Sequence, residues 1–84
     1  MQNFIVGNWV IYDSEYFELR FTGVIHTVLE SEIVIYADCD VFYSVKCDDL
    51  KNAHTIDKSG FNDTRISAED YRFDALLEYV NQPN

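Results

Sequence analysis

Most of this chain reads as short apolar, strand-like runs separated by polar turns, one of them alternating with a period of two, and only near the end does a period of about 3.6 appear. NWVIY (8–12), just after Gly7, is aromatic and β-branched, as a strand requires. DSE (13–15) is a turn signal. In YFELRFT (16–22), Phe17, Leu19 and Phe21 alternate with Glu18, Arg20 and Thr22, the pattern of a half-buried strand. Gly23 interrupts that run and predicts a bulge or bend from which VIHTVL continues in a new direction. ESE (30–32) turns the chain into IVIYA, DCD (38–40) turns it into VFYSVKC, and DDL is a short turn. AHTI predicts a brief fifth strand, and DKSGFNDT a loop.

The last element differs in kind. Ser67 with Asp70 reads as the start of a capping box, and Ile66 with Tyr71 as a hydrophobic staple. Phe73, Leu76, Leu77 and Val80 then fall at i, i+3, i+4 and i+7, one face of an amphipathic helix that ends before Pro83. The expected fold class is mainly β with one C-terminal helix. It is a small antiparallel barrel of four or five strands over 6–56 and a helix over 67–81, in one domain spanning 1–84.

Four stretches carry a family resemblance: VGNWVIY, then FTGVI, then IVIYAD, then a V-x-C-D-D-L closure. Together they resemble the running pattern of SH3-like barrels, particularly the Tudor type, over residues 6–53, with the helix as an appendage. The resemblance implies an SH3-like barrel and a surface that takes cationic peptides. The Tudor D-Y-G-N turn is replaced here by Y-A-D-C-D.

Composition changes the picture mainly through charge. Of 84 residues, 15 are Asp or Glu and 6 are Lys or Arg, a formal net charge of −9. A chain this acidic lacks the basic face that nucleic-acid phosphates or anionic membranes require, so neither is an expected direct partner. With 48% hydrophobic residues and 6 Phe, 6 Tyr and 1 Trp, the core needs neither a metal nor a disulfide to explain folding. The start, MQNFIVGNWV, lacks the basic leader of a signal peptide, and no apolar run approaches the roughly 20 residues of a membrane span. The expected location is the cytoplasm, or the host cytoplasm for a viral protein.

YADCDVFYSVKCDDL (36–50) concentrates both cysteines and four acids, which raises the question of a metal or disulfide site. In a hairpin about Asp38–Asp40, residues whose numbers sum to 78 face one another. Ile33 meets Val45, Ile35 meets Tyr43 and Ala37 meets Val41 on an apolar face. Glu32 meets Lys46, Val34 meets Ser44 and Tyr36 meets Phe42 on the other. Cys39 and Cys47 then stand on the order of 25 Å apart, too far for a bridge or a shared metal. Cys47 falls on the apolar side and is expected as a core thiol, with Cys39 exposed at the tip. His26 and His54 lack ligand-spaced companions, the three glycines are scattered, and D-C-D lacks the glycine and glutamate of a calcium loop. No metal, cofactor or catalytic constellation is expected, and the reading is non-enzymatic.

The remaining chemistry is acidic and aromatic. A meander places Asp13 and Glu15 near Asp38 and Asp40 at one end, and Glu30 and Glu32 near Asp48 and Asp49 at the other. Carboxylates two residues apart in extended chain are spaced by roughly 6.7 Å, similar to successive phosphates of one nucleic-acid strand. Such a chain can occupy the basic surface of a nucleic-acid-handling protein. In size and charge it resembles phage-encoded anti-defence inhibitors, the anti-CRISPR and DNA-mimic proteins. Tyr12, Tyr16, Tyr36 and Phe42 flank the first pole and suggest a second possibility, an aromatic–acidic pocket for a methylated lysine or arginine peptide. Tyr36 and Phe42 equally suit a shelf beneath the C-terminal helix. A structural role as an enzyme subunit is a third class.

Overall fold

The computed structural model describes residues 4–37, 41–56 and 66–82. Five antiparallel strands form one sheet: β1 (Trp9–Ser14), β2 (Leu19–Val28), β3 (Glu32–Ala37), β4 (Val41–Lys46) and β5 (Ala53–Ile56). They lie in the order β4-β3-β2-β1-β5. A 3-10 turn (Cys47–Asn52) links β4 to β5, and helix α1 spans Tyr71–Val80. The protein is therefore mainly β with one C-terminal helix, and the expected strands all form. Asp38, Cys39, Asp40 and the DKSGFNDT loop lie outside the described residues.

The β3–β4 hairpin has the register that its sequence pattern requires, from Glu32 opposite Lys46 to Ala37 opposite Val41. The charged pair closes at 3.5 Å. Strand β2 is shared, with Leu19–Val24 pairing with β1 and Gly23–Val28 pairing with β3. The irregularity in that ladder falls between Ile25 and Thr27, at His26, and not at Gly23. Gly23 has a different role. A Cβ there would lie 2.6 Å from both the Ile35 Cγ2 and the Tyr36 carbonyl oxygen. The glycine permits β2 and β3 to approach closely where β2 passes from one partner strand to the other.

β1 is covered on both faces. Val10 and Tyr12 belong to one core with Ile25, Ile33, Ile35, Val45 and Ala53. Because Val45 and Ala53 come from the two edge strands, the sheet must curl to bring them into the same cluster. Trp9 and Ile11 point the other way, into a second cluster with Ile56, Ile66, Phe73 and Leu76, and Leu77 and Val80 pack against it. The helical stripe is thus buried as its spacing predicts, but beneath β1 and β5. Tyr36 and Phe42 are not its shelf.

The helix begins later than expected. Asp70, not Ser67, is the N-cap: its carboxylate accepts from the Arg72 backbone N–H at 2.9 Å and pairs with the Arg72 guanidinium at 2.9 Å. Ser67 instead opens a preceding turn, its carbonyl accepting from the Asp70 N–H at 3.0 Å. The expected staple does not form, since Tyr71 is 84% exposed while Ile66 is buried in the second core. Thr22 fastens this return segment to the sheet. Its hydroxyl donates to the Ile66 carbonyl and accepts from the Ile66 N–H at 2.9 Å, so both polar groups of a buried residue are satisfied. Arg20 adds a second tie, with its guanidinium 4.0 Å from the Phe73 ring centre and 2.6 Å from the Asp74 carboxylate.

Two stability predictions follow from this packing. Gly23→Ala cannot be absorbed by moving Ile35 alone, because the second clash is with backbone. Denaturant unfolding should show a loss of about 2–3 kcal/mol, and a loss below about 0.5 kcal/mol would mean the strands separate freely. His54, on β5, has its pKa lowered by burial, with Asp13 opposing the shift. Its neutral form is favoured in the fold, so this contribution is present above the unfolded value of about 6.5 and is lost as pH falls through it. Urea midpoints between pH 7.5 and 5.5 should decline, and His54→Gln should flatten that slope.

Candidate groove beside the edge strand

The turn between β1 and β2 is built by its own polar groups. Ser14, buried at the end of β1, accepts from the Phe17 N–H at 3.2 Å through its hydroxyl. The Glu18 N–H reaches the Glu15 carbonyl at 3.2 Å. Glu18 adopts φ 52°, a left-handed conformation that closes the reversal. This geometry carries Tyr16 and Phe17 outward, 87% and 54% exposed, with their rings edge-on at 4.9 Å. DSE is therefore not the turn: Asp13 and Ser14 extend β1, and the turn occupies Glu15–Glu18.

Opposite these rings stands the 3-10 turn. Tyr12 is fully buried, and its hydroxyl donates to the Asp49 carboxylate, which also accepts from the Asn52 side-chain amide at 2.7 Å. The reason is topological. β5 pairs with β1, placing Ala53 opposite Tyr12, so the turn immediately before Ala53 is delivered to the Tyr12 hydroxyl. The Tyr12 ring also packs on Phe21 at 5.2 Å and Tyr43 at 5.5 Å. Burial, reinforced by the Asp49 carboxylate, raises the Tyr12 pKa well above the usual phenol value.

Between the Tyr16–Phe17 turn, β4 and the 3-10 turn runs a groove of about 420 Å³. Tyr43, Ser44 and Lys46 of β4 line it, with Asp48, Asp49, Lys51 and Asn52 from the 3-10 turn. The groove combines rings, carboxylates and two ammonium groups; it is suited to holding a polar or cationic segment.

The expected sites are redistributed by this fold. Tyr12 and Tyr36 lie on opposite faces of the sheet, and Tyr12 is inaccessible, so Tyr12, Tyr16, Tyr36 and Phe42 do not form one pocket. Tyr16 alone of the four joins the groove. Phe42 instead contacts Tyr36 at 5.1 Å and the His26 ring at 5.0 Å, and remains 55% exposed. Of the acids, Glu15, Glu30 and Asp48 are exposed and Asp13 is half-buried in β1. Glu32 is held by Lys46 and Asp49 by Tyr12 and Asn52, so the second end does not present four outward carboxylates. Cys47 is not a core thiol: it opens the 3-10 turn, exposed and unbridged, with its sulfur 3.7 Å from Asp48. The β period fails there because the strand has ended at Lys46. Phe17 and Tyr43 are the aromatic groove residues that sequence reading missed, together with Ser44, Lys46, Lys51 and Asn52. Phe17 looked like an inward strand position and Tyr43 like core.

Among the described residues no cluster of three or more His, Cys, Asp and Glu could hold a metal, and no helix is long and apolar enough to cross a membrane.

The Tyr12–Asp49 bond yields a test. Tyr12→Phe should cost about 1–2 kcal/mol and loosen the 3-10 turn. In the parent protein the raised phenol pKa makes this contribution complete below pH of about 10 and lost as pH rises beyond it. Alkaline urea titrations should therefore show a fall in stability that the phenylalanine variant lacks.

Comparison of this chain with protein-family models, with curated proteins and with solved structures finds no match.

Proposed function

We propose that this chain is a non-enzymatic acidic binding protein that inhibits a nucleic-acid-handling partner by occluding its basic surface. The observation that carries this reading is how the fold distributes charge. Three of the four described bases are engaged by carboxylates of the same chain: Arg20 by Asp74, Lys46 by Glu32, and Arg72 by Asp70. Glu15, Glu18, Glu30, Asp48, Glu69 and Glu78 remain exposed. Among the described residues these carboxylates form no ion pair, and Lys51 is the base left outside the three pairs. A net acidic field speeds encounter with a basic partner and makes association salt-sensitive. Tyr16 and Phe17 supply the exposed aromatic anchors on which binding energy concentrates. The small size and acidity resemble those of phage-encoded anti-defence inhibitors.

A second reading is favoured by the groove itself. Tyr16, Phe17 and Tyr43 beside Asp48 and Asp49 suit a methylated lysine or arginine peptide, as in a Tudor-like module.

Affinity capture from cells separates the two. Under the inhibitor reading the captured protein is a nucleic-acid binder, and a duplex oligonucleotide competes with this chain for it. The double variant Glu15→Lys/Asp48→Lys weakens capture by about tenfold or more, mostly through slower association. Simultaneous binding of oligonucleotide and this chain to the captured partner overturns occlusion. Saturable binding of a trimethyl-lysine peptide that is abolished by Tyr16→Ala would establish the second reading instead.

A further inference from the structure

The groove's lining contains a geometric clue to what it takes. Tyr43 and Ser44 are consecutive in β4, so their side chains leave opposite faces of the sheet, yet both line the groove with Lys46. A cavity that touches both faces of one strand lies along that strand's edge. β4 is the terminal strand of the sheet, and its outer side pairs with no strand among the described residues. About half of its backbone N–H and C=O groups are therefore directed away from β3. The far wall of the slot is the Tyr16–Phe17 turn.

The usual protections of an exposed edge are missing from β4. It has no proline, its pairing with β3 contains no bulge, and Lys46 is its only charged residue. Its exposed positions include Val41, at 50%, and Phe42, whose ring rests on Tyr36 and His26. An added strand would set alternate side chains beside this ring shelf on one face and beside Tyr43 on the other.

We infer that the edge of β4 is a strand-addition site, and that its occupant is an extended basic segment of another protein, seated between β4 and the Tyr16–Phe17 turn. Charge selects this occupant. A second copy of this chain would bring −9 against −9, whereas a basic segment is drawn by that overall charge; within the slot Lys46 is already paired with Glu32, and Asp48 and Asp49 stand beside Lys51. Backbone hydrogen bonds to β4 supply the register, and the rings on either side supply contact area. The inference rests on the reading of this chain as a binding protein for a basic partner, and adds the mode by which that partner is held.

The test uses the intact protein and three hexapeptides: alternating arginine and valine, alternating glutamate and valine, and the arginine peptide with a central proline. The expected result is that the arginine–valine peptide binds and protects amide hydrogens within Val41–Lys46 from exchange. The glutamate peptide should not bind, and proline should weaken binding by about tenfold or more, because it removes a ladder donor. Phe42→Lys, a change at an exposed position, should weaken binding similarly, with its thermal midpoint checked to show that the fold is intact. Binding that is lost in Tyr16→Ala without any β4 amide protection would overturn strand addition while leaving the groove reading in place. Absence of binding by the arginine peptide, or sedimentation as a dimer whose β4 amides are already protected, would overturn the inference outright.

Discussion

Strand β1 faces two environments at once. Val10 and Tyr12 face the inside of the curl, while Trp9 and Ile11 face the helix, and neighbouring strands lie along both of its edges. Each fully buried aliphatic side chain contributes about 1.5–3 kcal/mol relative to exposure, so a short strand buried on both faces anchors a disproportionate share of a small core. The other elements are arranged around that strand. β2 supplies the inner core with Ile25 and the outer one with Thr22 and Val24, and β5 closes its far edge. The helix covers the part of the outer face formed by β1, β5 and the Arg20–Val24 stretch of β2.

That partial coverage shapes the surface. Because the stripe Phe73, Leu76, Leu77 and Val80 is satisfied over β1 and β5, the same face of β3 and β4 is left with Tyr36, Phe42 and the His26 ring outside the helix. Thr22 and Arg20 fix this arrangement, one by satisfying the Ile66 backbone and the other by bridging Phe73 and Asp74. The same bridge pairs a base with an acid of this chain, as do the Lys46–Glu32 and Arg72–Asp70 pairs, all at the surface. Exposed pairs of this kind add little stability.

The inner and outer features meet at Tyr12. Its ring is core and its hydroxyl is the anchor of Asp49, so the position of the 3-10 turn, and with it one wall of the groove, is set by the packing of β1. The opposite wall is set by the reversal at Glu15–Glu18, whose left-handed Glu18 directs Tyr16 and Phe17 outward.

Consecutive residues carried the strands, the helical stripe and the register of the β3–β4 hairpin. Periodicity and cross-strand pairing are properties of a few neighbours, and the opposition of Glu32 to Lys46 could be counted from the turn. Local chemistry could not decide between two adjacent caps, Ser67 and Asp70, nor distinguish a glycine needed for close approach at Gly23 from a bulge that falls at His26. The groove lay further from reach. Tyr12 and Asp49 are 37 positions apart and meet only because β5 returns beside β1. Tyr16 and Phe17 face β4 only because the sheet curls. Sequence alone determined which segments are strands and which face of each is apolar. Tertiary structure decided which aromatics and acids share a surface, because that depends on long-range strand order and curl that no local pattern encodes.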